Sequence, residues 1–170
     1  MLDRSQGETA LVHLSERLTN SAAFGTLFRE GMDLVEETAA YLDGVGRTEA
    51  KALDRSVSLT YATESMRLTT RLMQLASWLL LHRAVKEGEM TLIQANREKT
   101  KVKLSAADPG PSDTIEKLPQ QLQDLISRSM ALQSKVRRLD TTIHSPVTER
   151  ASIGNPLVPQ LNRLKAAFEN

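Results

Sequence analysis

Cysteine is absent from all 170 residues. That removes disulfides, thiolate zinc sites and a cysteine nucleophile together, and it fits a cytosolic protein. Aromatic residues make up only 4% and glycines number 8, little of what strands and hairpins use, so an all-β fold is close to excluded. Neither sign of charge dominates: 22 Lys and Arg face 21 Asp and Glu for a net +1, with no basic excess to neutralise a phosphate backbone. The most apolar run, Leu75 to Leu81, is interrupted by Ser77, ends at His82 and Arg83, and is far too short to cross a bilayer. The opening MLDRSQGETALVHL has no apolar core of signal-peptide length. These absences lead to the expectation of a cytoplasmic protein without a membrane partner.

Proline is missing from the whole front of the chain, since all six (Pro109, Pro111, Pro119, Pro146, Pro156, Pro159) lie beyond residue 108. The front therefore holds most of the helical mass. Hydrophobic residues at 40% and charged residues at 25% suffice for one buried core. The resulting expectation is an all-α, antiparallel, up-down-up three-helix bundle over residues 1–140. It carries a linker at about 105–117, where Asp-Pro-Gly-Pro cannot continue a helix. A flexible tail follows over 141–170, in which Leu161, Leu164 and Phe168 are spaced to form a short helix at 160–168 on docking.

Three long helices emerge from the apolar spacing. The first spans about 21–43, with Ser21 as N-cap and Gly44 at the C-terminal glycine position; Phe24, Phe28, Val35 and Leu42 form its stripe, flanked by Leu27, Leu34 and Tyr41. Leu11, Leu14 and Leu18 suggest an extra turn before it. The second, roughly Arg55 to Glu87, carries two apolar rows: Ala62, Met66, Met73, Ala76 and Leu80, beside Tyr61, Leu68, Leu72, Leu75 and Leu79. An apolar arc that wide predicts a central helix packed against at least two others. After Gly88, Thr91 and Gln94 match a capping box opening a short helix at 92–103. The third long helix opens at Pro119 with the series Leu118, Leu122, Leu125, Ser129, Leu132, Val136, Leu139.

Chemistry-bearing patterns are sparse. His13, His82 and His144 have no second ligand at helical spacing, so no metal site is expected. There is no glycine-rich phosphate loop and no nucleophile elbow, and no cofactor or catalytic residue is assigned. His82 with Lys86 one turn on leaves a histidine phosphotransfer module as an alternative, although that pattern wants the lysine one position nearer. Arg97, Lys99, Lys101 and Lys103 leave a nucleic-acid-binding regulator as another, weakened because no aromatic sits among them for base stacking.

Surface features favour binding. Glu30, Asp33, Glu36 and Glu37 form an acidic strip on the first helix, which reads as solvated or as a steering surface for a basic partner. On the second helix the polar arc holding Arg67 and Arg71 runs into Trp78 and Leu81. Tryptophan beside arginine is the composition of interface hot spots, so a homodimer through this face is one expectation; internal cover by the 92–103 helix is the other.

Two segments are distinctive as strings: LFREGMDLVEETAAYLDGVGR at 27–47 and YATESMRLTTRLMQLASWLLLHRAVKEGEM at 61–90. They closely resemble the alphaproteobacterial regulator-of-CtrA-degradation family (RcdA, of the DUF1465 type), over most of residues 15–104. The resemblance implies a dimeric three-helix bundle with a flexible C-terminal tail and no enzymatic activity. It also implies an adaptor that joins a primed ClpXP protease together with the response regulator CpdR and helps deliver the cell-cycle regulator CtrA. The resemblance implies as well that a further adaptor, the cyclic-di-GMP effector PopA, can bridge it to CtrA.

Overall fold

A computed structural model of the chain describes residues 21–99 and 110–144. The expected turns near Leu11, Leu14 and Leu18, His13, Lys101 and Lys103, and the tail residues Leu161, Leu164 and Phe168 lie outside the described residues. Among those described, every regular element is helical: α1 (Ala22–Asp43), α2 (Val45–Lys51), α3 (Arg55–Lys86), α4 (Leu92–Lys99), α5 (Ser112–Ile115) and α6 (Gln120–His144).

The helix ends follow local chemistry. Ser21 caps α1, its hydroxyl accepting from the Phe24 amide at 3.3 Å. At the other end the Gly44 N–H donates to the carbonyls of Ala40 and Tyr41, but the chain re-enters a helix at once, as α2, to which the sequence reading assigned no element. Gly46 makes this possible: a Cβ there would stand 2.6 Å from the Tyr61 hydroxyl and 2.7 Å from the Tyr41 carbonyl. Gly88, at φ 75°, ends α3 in the left-handed region. The capping box at α4 is formed reciprocally, Thr91 N–H to Gln94 Oε1 at 2.9 Å and Gln94 N–H to Thr91 Oγ1 at 3.2 Å. Helix α6 continues to His144, four residues beyond the expected end of the bundle at Asp140, and Ile143 is buried.

The all-α bundle with its extra helix after the second long one is as expected, but its path is not up-down-up. Glu30 pairs with Lys135 and Glu37 with Arg128, so α1 and α6 are antiparallel. Arg71 meets Ser129 and Trp78 meets Asp140, so α3 and α6 run in the same direction. The 87–119 crossover allows this: α4 packs back on α3 near its C-terminal end, and Gly110 reaches Glu64 near the other end before α6 begins. A parallel neighbour needs a long return connection, and this chain supplies one.

The core lies where the three long helices meet, with Phe24, Leu34, Leu68, Leu75, Leu79, Leu122, Leu125 and Leu132 fully buried. Each large apolar side chain so buried stabilises by about 1.5–3 kcal/mol. Helix α1 buries Phe24, Leu27, Leu34 and Tyr41 and leaves Phe28, Val35 and Leu42 half-buried at its edge. At Gly31 the helices touch closely, since a Cβ there would collide with Leu79 Cδ1.

Candidate interaction surface

The central helix is rotated relative to the face its apolar rows suggest. Tyr61, Leu68, Leu72, Leu75 and Leu79 are buried, as expected for one row. The other inward-facing arc is partly polar, with Glu64, Arg71 and His82 beside Trp78. Arg71 Nη1 donates to Ser129 Oγ at 2.7 Å, and the Ser129 hydroxyl in turn donates to the Ile126 carbonyl at 2.7 Å. Glu64 Oε1 accepts from Arg67 Nη1 at 2.6 Å and from the Gly110 amide at 3.0 Å, tying the crossover down. The Trp78 indole N–H donates to Asp140 Oδ1 at 2.8 Å, while Lys99 Nζ holds the other carboxylate oxygen at 2.7 Å. Buried polar groups with such partners avoid the desolvation cost that would otherwise push them outward.

This settles the place of several residues singled out from the sequence. Trp78 and Arg71 are inside the bundle, with Trp78 only 1% exposed, so neither offers a surface for a second molecule. Leu81 is half-buried and Arg67 is engaged by Glu64. His82 is also interior: its ring stacks on Trp78 at 3.9 Å and its Nδ1 lies 2.8 Å from the Trp78 carbonyl. Burial pushes its pKa below 6.5, with Lys99 adding to the shift and Asp140 opposing it. Phosphotransfer requires an accessible imidazole, and this one is fully enclosed. Of the basic run, Lys99 is committed to Asp140.

The acidic strip on α1 divides in two. Glu30 is held by Lys135 at 2.9 Å and Glu37 by Arg128 at 2.7 Å, whereas Asp33 and Glu36 point to solvent. The Arg128 guanidinium bonded to Glu37 keeps that carboxyl below its ordinary range. Two of the four acids are thus structural ties between α1 and α6.

What the rotation leaves outside is the row the sequence suggested as core, Ala62, Met66, Met73, Ala76 and Leu80, of which Ala76 alone is half-buried, extended one heptad back by Leu59. Leu59, Met66, Met73 and Leu80 recur every seven residues along α3; all are exposed, Met66 at 72% and Met73 at 66%. Small residues, Ala62, Thr69 and Ala76, recur between them. Beside this stripe, α1 contributes Val35, Ala39 and Leu42 to a groove of about 300 Å³, shared with Thr69, Leu72, Met73 and Ala76. Buried Thr38 also lines it, with a hydroxyl that has no hydrogen-bond partner. Exposed large side chains at one heptad position are the signature of a helix face built to meet another helix. The alternation of large and small residues was visible in the sequence; that it faced outward was not.

No three His, Asp or Glu among the described residues gather in a way that could hold a metal ion, and no helix there is long and apolar enough to cross a membrane. The fold and surface define an all-α helical bundle with an exposed apolar face. The chain belongs to the family described as protein of unknown function DUF1465, whose model matches residues 15–168. It is similar to RcdA from Caulobacter crescentus CB15: the crystal structure of that protein matches with a TM-score of 0.62 and 49% sequence identity, covering 75% of this chain and 96% of that one. No match was found among curated proteins.

Proposed function

We propose that this protein is a non-enzymatic adaptor in regulated proteolysis, working in the cytoplasm as a homodimer. In this reading it joins ClpXP primed by a CpdR-type response regulator and delivers CtrA and other substrates, with a cyclic-di-GMP effector of the PopA kind as a bridge to CtrA. Such an adaptor raises the local concentration of substrate at the unfoldase and catalyses nothing. The observation that carries the reading is the exposed Leu59–Met66–Met73–Leu80 stripe on a bundle in which His82, Arg71 and Glu64 are engaged internally. Similarity to RcdA over 75% of the chain supports the pathway.

The test is reconstitution. Purified ClpXP, the response regulator and CtrA are combined with and without this chain, and CtrA loss is followed by gel. Faster CtrA loss that depends on the chain supports the adaptor; unchanged loss at saturating chain refutes it. A chain ending at His144 asks whether the tail with Leu161, Leu164 and Phe168 carries delivery. That end point keeps buried Ile143, which a cut at residue 140 would remove.

A further inference from the structure

The groove between α1 and α3 has the length of a two-turn helix. Its walls match: Val35 to Leu42 on α1 and Thr69 to Ala76 on α3 each advance seven residues, ~10.5 Å at a rise of ~1.5 Å per residue. Among this apolar lining lies Thr38, 3% exposed, whose hydroxyl has no hydrogen-bond partner. An unpaired buried hydroxyl is costly, so the groove favours an occupant that brings a polar group among apolar ones.

The two rims differ in charge. On the α1 side Glu36 points to solvent and Asp43 reaches Arg47 only at 3.9 Å, both partners being open to water. The α3 side is the uncharged Met66 and Met73 edge. The fitting occupant is therefore apolar over two helical turns and carries a cation along one edge only.

The chain has such a segment beyond His144. Leu161, Leu164 and Phe168 recur at helical spacing and also advance seven residues from first to last. At ~100° per residue Lys165 flanks this stripe on one edge and Gln160 on the other, so one edge is cationic and the other neutral. Pro159 stands immediately before, where a helix start accepts it.

The tether is long enough. The Glu30–Lys135 and Glu37–Arg128 pairs set His144 level with Ser21, at the start of α1. Thr38 is 17 residues further along α1, ~25 Å at the helical rise. The stretch 145–159 spans ~21 Å as a flexible chain and about 50 Å when extended, so the groove is within reach. A tether of this length holds its end at an effective concentration of order millimolar.

We propose that the C-terminal segment 160–168 folds back on its own bundle and docks as a short helix in the α1–α3 groove, with Leu161, Leu164 and Phe168 between the walls and Lys165 against Glu36 and Asp43. Docked there it covers the Met73 side of the exposed face and must leave before another molecule takes that side. The contact goes beyond the adaptor reading and does not rest on it.

The full chain tests this, and the absence of cysteine lets a single thiol carry a spin label. A nitroxide on Ala40→Cys, exposed on α1 beside the groove, is expected to broaden the amide resonances of 160–168 selectively over those of 147–155. A nitroxide on Ala131→Cys, exposed on α6, is expected to show no such preference. Uniform broadening of 145–170 from Ala40→Cys, or none, overturns the docking. Phe168→Ala is expected to abolish the selective broadening; Lys165→Glu roughly halves it, and adding Glu36→Lys restores it. Broadening indifferent to these changes overturns the assigned contact. In a mixture of spin-labelled chain with isotope-labelled chain lacking the nitroxide, no broadening of 160–168 is expected. Broadening there would put the tail of a second copy in the groove and overturn the intramolecular contact. None of these readouts follows CtrA loss, so the degradation assay judges the adaptor reading separately.

Discussion

The indole N–H of Trp78 on α3 donates to the carboxylate of Asp140 on α6 at 2.8 Å, across 62 residues of sequence. Lys99 from α4 holds the same carboxylate and His82 stacks on the same indole, so one hydrogen bond ties three helices at one end of the bundle. Phe24 of α1 packs on the ring as well, 6.3 Å between centroids.

Removing the ring should therefore unfold rather than dissociate. Trp78→Ala is expected to cost about 3–5 kcal/mol of stability, as for other buried large-to-small changes. Trp78→Phe, which keeps most of the volume and drops the donor, is expected to cost about 1–2 kcal/mol. Urea denaturation followed by circular dichroism measures both, and a Trp78→Ala chain as stable as the natural one would contradict the interior placement.

His82 makes stability depend on pH in a defined direction. Burial lowers its folded-state pKa below 6.5, so the folded chain binds fewer protons than the unfolded one just beneath that pH. The stabilisation is complete above about pH 6.5 and declines as pH falls through the window below it. Denaturation midpoints compared at pH 7.5 and 5.5 should show the decline, and His82→Gln should flatten it.

Two glycines on α1 should respond oppositely to alanine. Gly25 has nothing within 4 Å of where a Cβ would stand, so Gly25→Ala is expected to stabilise by about 0.5–1 kcal/mol through helix propensity. Gly31→Ala drives a methyl into Leu79, which is itself fully buried, and is expected to destabilise by about 1–3 kcal/mol. Thermal melts of the two variants, read side by side, distinguish contact from propensity.

The α1–α6 ties are surface pairs and should be weak. A double-mutant cycle on Glu37 and Arg128 is expected to give a coupling below about 1 kcal/mol that shrinks in high salt. Since Arg128 lowers the Glu37 pKa from 4.5, that coupling is present above pH 4.5 and fades as the carboxyl is protonated below it. A coupling unaffected by salt or acid would mean the pair acts through packing.

Much of the local structure is legible from the residues alone. Ser21, the Thr91–Gln94 box and Gly88 mark helix ends where the structure has them, and the series from Leu122 to Leu139 lies along the inward face of α6 with Leu118 buried just before it, only Leu139 being half-buried. Those features need only near neighbours in the chain. Helix α2 was missed because its reason is tertiary, the close approach of Gly46 to Tyr41 and Tyr61.

The orientation of α3 was beyond reach of any single helix. It carries apolar residues over about half its circumference, so its own periodicity does not say which row faces in. The residues opposite decide: Ser129 and Asp140 on α6 supply partners for Arg71 and Trp78, which makes a partly polar arc the interior and turns Met66 and Met73 outward. The direction of α6 is decided the same way, by a crossover long enough to return the chain and a Glu64–Gly110 bond that holds it there. Helix formation depends on contacts three and four residues apart, which the chain alone specifies; the choice of inward face and of helix direction depends on pairings about 60 residues apart, which exist only once the bundle has closed.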